Sequence, residues 1–260
     1  MPALLDESRR SNFTFVACPG STESKCGEQL RRVREPVSRS KSGVQGKVAD
    51  VLHGRSRHAE SQNELKAFQV LMATARADAW QEQPFILEYH HEGARCRYTP
   101  DILVIWGAHQ EVIEVKEDSE ADLPENQARF TFISGLLTEH GYRFRLWRKS
   151  EICAEPRLRN ANLVLRYRRV AVPATEHKRL RRAFSSAPEF PLRTLCAVSS
   201  TAIQTVLRLV LGGTLHIDWW EPLGPDSKVS ITPIGRQIWP CPPAILSQTN
   251  SQEAKCQSMC

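Results

Sequence analysis

The sequence predicts an α/β fold, a mixed sheet flanked by helices, followed by a small winged-helix-like domain. Three observations predict it. Leu65, Phe68, Leu71 and Met72 recur at spacings of three and four, the period of one buried helix face. Between Phe85 and Lys116 come three β-rich apolar runs broken by turn residues. Farther on, two apolar helical stretches end at Gly212-Gly213 and lead into two short strand patterns.

Taken in order, residues 1–55 are rich in Ser, Gly, Pro and Arg and read as a basic, loosely ordered arm. Its Arg31, Arg32, Arg34, Arg39 and Lys41 either touch phosphates or simply face solvent. Residues 56–172 form the α/β domain. A helix is expected from His58 to between Ala75 and Ala79. Strands follow at Phe85–Leu87, Arg95–Trp106 and Val112–Lys116, a meander of three. Pro124 suits the first turn of a helix that stops near His140-Gly141, and a strand runs over Tyr142–Trp147. Residues 173–238 hold helices at Phe190–Val198 and Thr201–Leu211. Strands at Thr214–Trp219 and Lys228–Thr232 are joined by Pro222-Leu223-Gly224-Pro225. Helix, helix, strand, turn, strand is the winged-helix pattern. Residues 239–260 read as a polar tail.

The chain has 260 residues, enough for one good core or two small ones, and a net charge of +6. A basic balance favours a polyanionic partner without proving one. MPALLDESRR places acids and arginines where a secretory signal needs an apolar stretch, and the longest apolar run, Thr201–Gly213, is broken by Gln204 and Arg208. A cytoplasmic protein with no membrane partner is expected. The eight cysteines are scattered without a CxxC pair, as in a reduced compartment and without a structural metal.

The chemistry lies in the placement of carboxylates. Asp101 follows Pro100 at the head of an apolar strand. On the next strand Glu114 and Lys116 alternate with Ile113 and Val115, so the charged pair shares one face. A tight turn between antiparallel strands brings Asp101 beside Glu114. Adjacent carboxylates repel unless a proton or cation sits between them, and a hard divalent ion such as magnesium meets that demand. Lys116 then stands where it can orient water or steady a phosphate in transition. Glu64, at the edge of the buried helix face, is a third candidate; Glu60, one turn earlier, is its reserve. The bland alternative makes Glu114 and Lys116 an exposed ion pair and Asp101 a turn residue. The acidic stretch Glu117, Asp118, Glu120, Asp122 and Glu125 is read as a solvated loop.

These segments resemble TnsA, the endonuclease subunit of two-component bacterial cut-and-paste transposases, within the PD-(D/E)xK nuclease superfamily. Glu64-Leu65-Lys66-Ala67-Phe68, Glu82-Gln83-Pro84-Phe85, Tyr98-Thr99-Pro100-Asp101 and Glu114-Val115-Lys116 carry the resemblance. It covers Glu60–Trp147 well and Leu192–Thr232 more loosely. It implies a restriction-endonuclease-like fold and magnesium, with manganese as a substitute. Asp101, Glu114 and the Val115 carbonyl would bind the metal. Glu64 would help hold it or a second ion, and Lys116 would assist the attacking water. The implied reaction is cleavage of the 5′ strands at transposon ends in double-stranded DNA. The implied partners are a DDE-type transposase subunit and an ATP-dependent regulator subunit. A stand-alone restriction or repair nuclease and a catalytically silent DNA- or partner-binding module are the alternatives.

From Arg143 to Arg182 there are thirteen Lys or Arg against three acids. Arg143, Arg145, Arg166, Arg168 and Arg169, with Arg97 on an earlier strand, are the candidate DNA contacts. Arg166, Arg168 and Arg169 could equally form a solvated strand face. Tyr142, Trp147 and Tyr167 among them read as core. Lys178–Arg182 is either more of this surface or a linker that meets a partner subunit.

Overall fold

In the computed structural model the structure describes residues 13–16, 46–51, 53–236 and 238–239. The basic residues of the arm between 31 and 41, and the tail beyond Trp239, lie outside them. Within the predicted arm there is regular structure, strand β1 (Phe13–Val16) and β2 (Gly46–Asp50), the latter forming a hairpin across the expected boundary with β3 (Arg55–Ala59). The predicted start of the first helix at His58 therefore falls on a strand. Helix α1 runs over Gln62–Thr74, begun by Ser61 as its N-cap.

The expected meander resolves into more strands and two sheets. After α1 come β4 (Ala79–Glu82), β5 (Ile86–His91), β6 (Ala94–Tyr98), β7 (Ile102–Trp106) and β8 (His109–Lys116). The run Arg95–Trp106 breaks at Thr99-Pro100-Asp101 because proline has no N–H to give a ladder. β5 and β6 join β1 in a three-stranded sheet. A four-stranded sheet has the order β4-β7-β8-β9, where β9 is Tyr142–Arg148. Its first three strands are antiparallel, while β9 runs parallel to β8. That pairing needs a crossover, which helices α2 (Asp118–Ala121) and α3 (Pro124–Glu139) supply.

Alternation along the strands seals both faces. Ile102, Val104, Ile113, Val115 and Trp147 pack with Phe68 and Leu71 of α1. Leu103 and Val112 pack with Phe130, Ile133 and Leu137 of α3. The sheet is thus mixed and flanked by helices, and Trp147 is core as expected. The missed strand β4 carries Gln81 and Glu82, both buried, which is why its sequence does not look like a strand. Glu82 is buried with a partner: Arg57, 1% exposed, donates to Glu82 at 3.1 Å and to Asp50 at 3.0 Å. Its guanidinium also lies 4.0 Å from the Trp80 ring centre.

The C-terminal part runs α4 (Lys149–Ile152), α5 (Arg157–Leu165), α6 (Ala174–Phe184), β10 (Glu189–Pro191), α7 (Leu192–Ser199), α8 (Ile203–Leu211) and β11 (Lys228–Ser230). The expected helix at Phe190 opens with a strand, and β11 pairs along its length with β10, meeting Thr214–Trp219 at a single position. That last segment contributes only an isolated bridge, His216 to Ser230. Helices α7 and α8 are bent by 114° at their junction. No single helix among the described residues is long and apolar enough to cross a membrane. Val206, Leu207, Val210 and Leu211 of α8 join the same core as Phe68 and Leu71 of α1.

Candidate active site

The site forms where β6 gives way to β7. The Thr99-Pro100 break frees Asp101 from the ladder, and its Oδ2 accepts the Val115 N–H of β8 at 2.8 Å. Backbone ties fix the turn from the other side: the Gln83 N–H donates to the Asp101 carbonyl at 2.9 Å. Gln83 adopts a left-handed φ of 44° and keeps a buried Oε1 with no partner among the described residues. Glu114, 6% exposed, accepts the Tyr98 hydroxyl at 2.8 Å through Oε2 and meets Lys116 Nζ at 3.1 Å through Oε1. Glu114 and Lys116 are therefore a side-by-side pair on one strand face, as the alternation predicts, but the pair is embedded. The bland reading of an exposed ion pair does not describe it.

Electrostatics mark Asp101 as the strained member. It is partly exposed as a residue, yet its carboxyl is crowded. Loss of solvation, then the charges of Glu114 and Glu64, push its pKa well above the ordinary carboxylate range, against the Val115 N–H and Lys116. Burial also raises Glu64, with Glu60 and Glu114 adding to it and the hydrogen bonds of Glu60 and Ser61 opposing it. Burial pulls Lys116 down, but Glu114 and Asp101 outweigh it and hold the ammonium above its usual range. Lys116 is thus a cation at neutral pH, fitted to donate to a phosphate oxygen or to water. Tyr98 is pushed well up, first by burial and then by Glu114 and Asp101, so it stays a neutral donor to Glu114.

Glu64 reaches this electrostatic neighbourhood but its oxygens are engaged by its own helix. Ser61 Oγ accepts the Glu64 N–H at 3.1 Å and donates to Glu64 Oε1 at 3.0 Å, and Oε2 accepts the Glu60 N–H at 3.0 Å. This is a variant of the capping box at the start of α1, in which Glu64 reaches back to the N–H of Glu60, the residue before the N-cap, and not to that of Ser61 itself. Glu60 precedes the N-cap and does not lie one helical turn before Glu64. Among the described residues no three His, Cys, Asp or Glu side chains gather at metal-ligand spacing. What converges is two carboxylates, Asp101 and Glu114, in one buried place with a mutual repulsion that a divalent cation relieves. Magnesium commonly takes one or two protein carboxylates and keeps its waters, so this donor set fits it.

Sequence reasoning missed two residues. Tyr98 ends β6 facing Glu114, and Gln83 anchors the Asp101 turn. Both stand inside quoted motifs, but only the hairpin geometry shows what they hold. The acidic stretch is also not a free loop: Asn63 donates to Glu117 at 2.8 Å, Ser150 to Asp118 at 2.5 Å, and Arg148 pairs with Asp122 at 2.7 Å. These contacts fasten α2 beside the site.

The candidate DNA contacts are spread over several elements. Arg97, exposed on β6, pairs with Glu88 at 3.1 Å. Arg143 is exposed on β9, whereas Arg145 is half-buried and lies 5.4 Å and 5.1 Å from the Trp147 and Trp239 ring centres. Arg166, Arg168 and Arg169 sit at the end of α5 and the turns after it, so the alternative of a strand face does not hold. Arg168 donates to the Leu165 carbonyl at 2.9 Å; Arg166 and Arg169 are exposed.

Residues 76–148 match the family model described as TnsA-like endonuclease N terminal. The matched segment contains Asp101, Glu114, Val115 and Lys116; Glu64 precedes it. No curated protein matches the chain at a significant level.

Proposed function

We propose that this chain, whose residues 76–148 are a TnsA-like endonuclease domain, is a magnesium-dependent DNA endonuclease that cuts the 5′ strands at transposon ends. In this reading it works as one subunit of a heteromeric cut-and-paste transposase, beside a DDE-type transposase subunit and an ATP-dependent regulator. The observation that carries the proposal is the set Asp101–Glu114–Lys116, with Glu114 buried and the other two half-buried beside it, tied across two strands by the Asp101 bond to the Val115 N–H.

Asp101 and Glu114, with the Val115 carbonyl, would hold the ion, and Glu64 would join them if it leaves its helix cap. When bound, magnesium supplies Lewis-acid polarisation of the scissile phosphate and a more acidic water. The chain's own residues do the rest. Tyr98 keeps one oxygen of Glu114 fixed. The Val115 N–H sets the orientation of Asp101. Lys116, held protonated by its two carboxylate neighbours, places positive charge where the phosphate gains negative charge. Arg97, Arg143, Arg145, Arg166, Arg168 and Arg169 are the proposed backbone contacts. The order α6, β10, α7, α8, β11 supports a winged-helix-like reading of the second segment.

Strand cleavage in a reaction reconstituted with the transposase subunit tests the proposal. Asp101→Ala and Lys116→Ala should each lower cleavage by roughly 10²–10³ fold. Full cleavage by either variant would refute the site, and full cleavage by the wild type without a partner would replace the subunit reading with a stand-alone nuclease.

A further inference from the structure

The second segment carries a charged surface that the strand-cutting site does not use. Helix α6 presents Lys178, Arg179, Arg181 and Arg182. At about 100° per residue the four fall within one arc of roughly 160°, opposite Leu180, which is the buried residue of that helix. None of the four has a carboxylate partner among the described residues. Several surface cations elsewhere do have one, Arg95 and Arg97 with Glu88, Arg148 with Asp122, and Lys228 with Glu189; others, such as Arg143 and Arg166, have none among the described residues, but do not stand four together on one helix face. The acid of α6 itself, Glu176, accepts the Thr205 hydroxyl of α8 at 2.8 Å. Like charges four residues apart, as at Lys178 and Arg182, repel. An anionic ligand relieves that repulsion.

The cations also have a shaped place to act. Lys178, Arg179 and Arg182, with Val198, Ser199 and Ser200, line a groove of about 500 Å³ that contains no carboxylate. Ser200 forms the corner between α7 and α8 with a left-handed φ of 48°, and its carbonyl accepts Arg179 Nη1 at 3.2 Å. That bond holds one guanidinium over the groove.

A helix-turn-helix would send its second helix into the major groove to read bases. Here α8 is occupied: Val206, Leu207, Val210 and Leu211 are buried, and the helix packs on α5 and α1. The surface left for nucleic acid is the cationic one, which reads charge and not sequence. We propose that α6 and the α7–α8 corner form a binding site for the phosphate backbone of duplex DNA, separate from the cutting site. The inference rests on the reading of the chain as an enzyme acting on DNA.

Binding of a random-sequence duplex to the full chain, without divalent metal and over a series of salt concentrations, tests it. Replacing Lys178, Arg179 and Arg182 by Gln keeps helix propensity and should leave the melting midpoint in place. The expected result is a loss of affinity equal for unrelated sequences, with the slope of log affinity against log salt flattened by about 2–3. Arg179→Lys with Arg182→Lys keeps the charge and should keep affinity and slope. Wild-type affinity and slope in the triple Gln variant would overturn the proposal while leaving the nuclease reading intact. So would an equal loss in the charge-preserving variant, which would show that the positive charge of this face is not what holds the duplex. Failure of the wild-type chain to bind duplex DNA at all would also overturn the α6 site, and the nuclease reading would then stand or fall on the reconstituted cleavage reaction.

Discussion

Asp101 bears two opposed demands, to be an ionised ligand and to sit beside Glu114 and Glu64 in a crowded place. Its raised pKa records the conflict. Asp101→Asn should therefore stabilise the metal-free protein at neutral pH, by roughly 2–4 °C in melting midpoint for each kcal/mol relieved in a chain of this size. Added magnesium should raise the midpoint of the wild type and leave the variant unchanged. Thermal melts with and without the metal read both effects. Glu64 has a different double role, since it caps α1 and adds charge to the site. Glutamine serves the cap as well as glutamate, so Glu64→Gln should keep the midpoint within about 2 °C. If the charge matters to chemistry, it should cut strand cleavage at least about tenfold. Unchanged cleavage would reduce Glu64 to a structural residue. The charges of Asp101, Glu114 and Lys116 were legible in sequence because strand alternation fixes their face. The engagement of Glu64 by Ser61 was also written there, as Ser-x-x-Glu, but competes with the ligand reading of the same residue.

At the scale of elements, the β2–β3 hairpin is fastened to β4 by a buried ion network. Arg57→Ala leaves the buried Glu82 without its cation and Asp50 with His53 alone, and should cost about 3–5 kcal/mol. Joint replacement by Asp50→Asn, Arg57→Met and Glu82→Gln should recover most of that loss; urea unfolding measures both. The network also sets a pH dependence. Burial pushes Asp50 up, but His53 and Arg57 outweigh it and hold its pKa below the ordinary value. A lowered folded pKa gives stability that is present above the unfolded pKa and lost as pH falls through the folded one. The stability gap between wild type and Asp50→Asn should accordingly narrow below about pH 4. This hairpin was invisible in the sequence because its buried positions are Asp50, Arg57 and the small Ala59, which do not give the apolar alternation that strand reading depends on. α1, α3, β8 and β9 were legible because their apolar period is intact. The β6–β7 break at Pro100 was available from proline chemistry but masked by the apolar run on either side.

Across the whole molecule one core runs from the sheet through α1 and α5 to α8. The sequence leads to an expected domain limit at residue 172, yet Leu207, Val210 and Leu211 cover the same helices that back the four-stranded sheet. A chain ending at residue 172 would expose that surface. At about 1.5–3 kcal/mol for each large apolar side chain, it should lose several kcal/mol and on the order of ten degrees in midpoint. Melting of the truncated and full chains compares them directly; equal midpoints would show that the second segment is only an appendage. Long-range closure of this kind is not legible in sequence, since each helix shows that it has an apolar face but not which neighbour covers it. The central claim, that Asp101 and Glu114 form a divalent-metal site, is most directly tested by manganese titration of the wild type and Asp101→Ala, without partner or DNA. The account predicts saturable binding by the wild type that Asp101→Ala abolishes; equal binding by the two proteins, or none by the wild type, would contradict it.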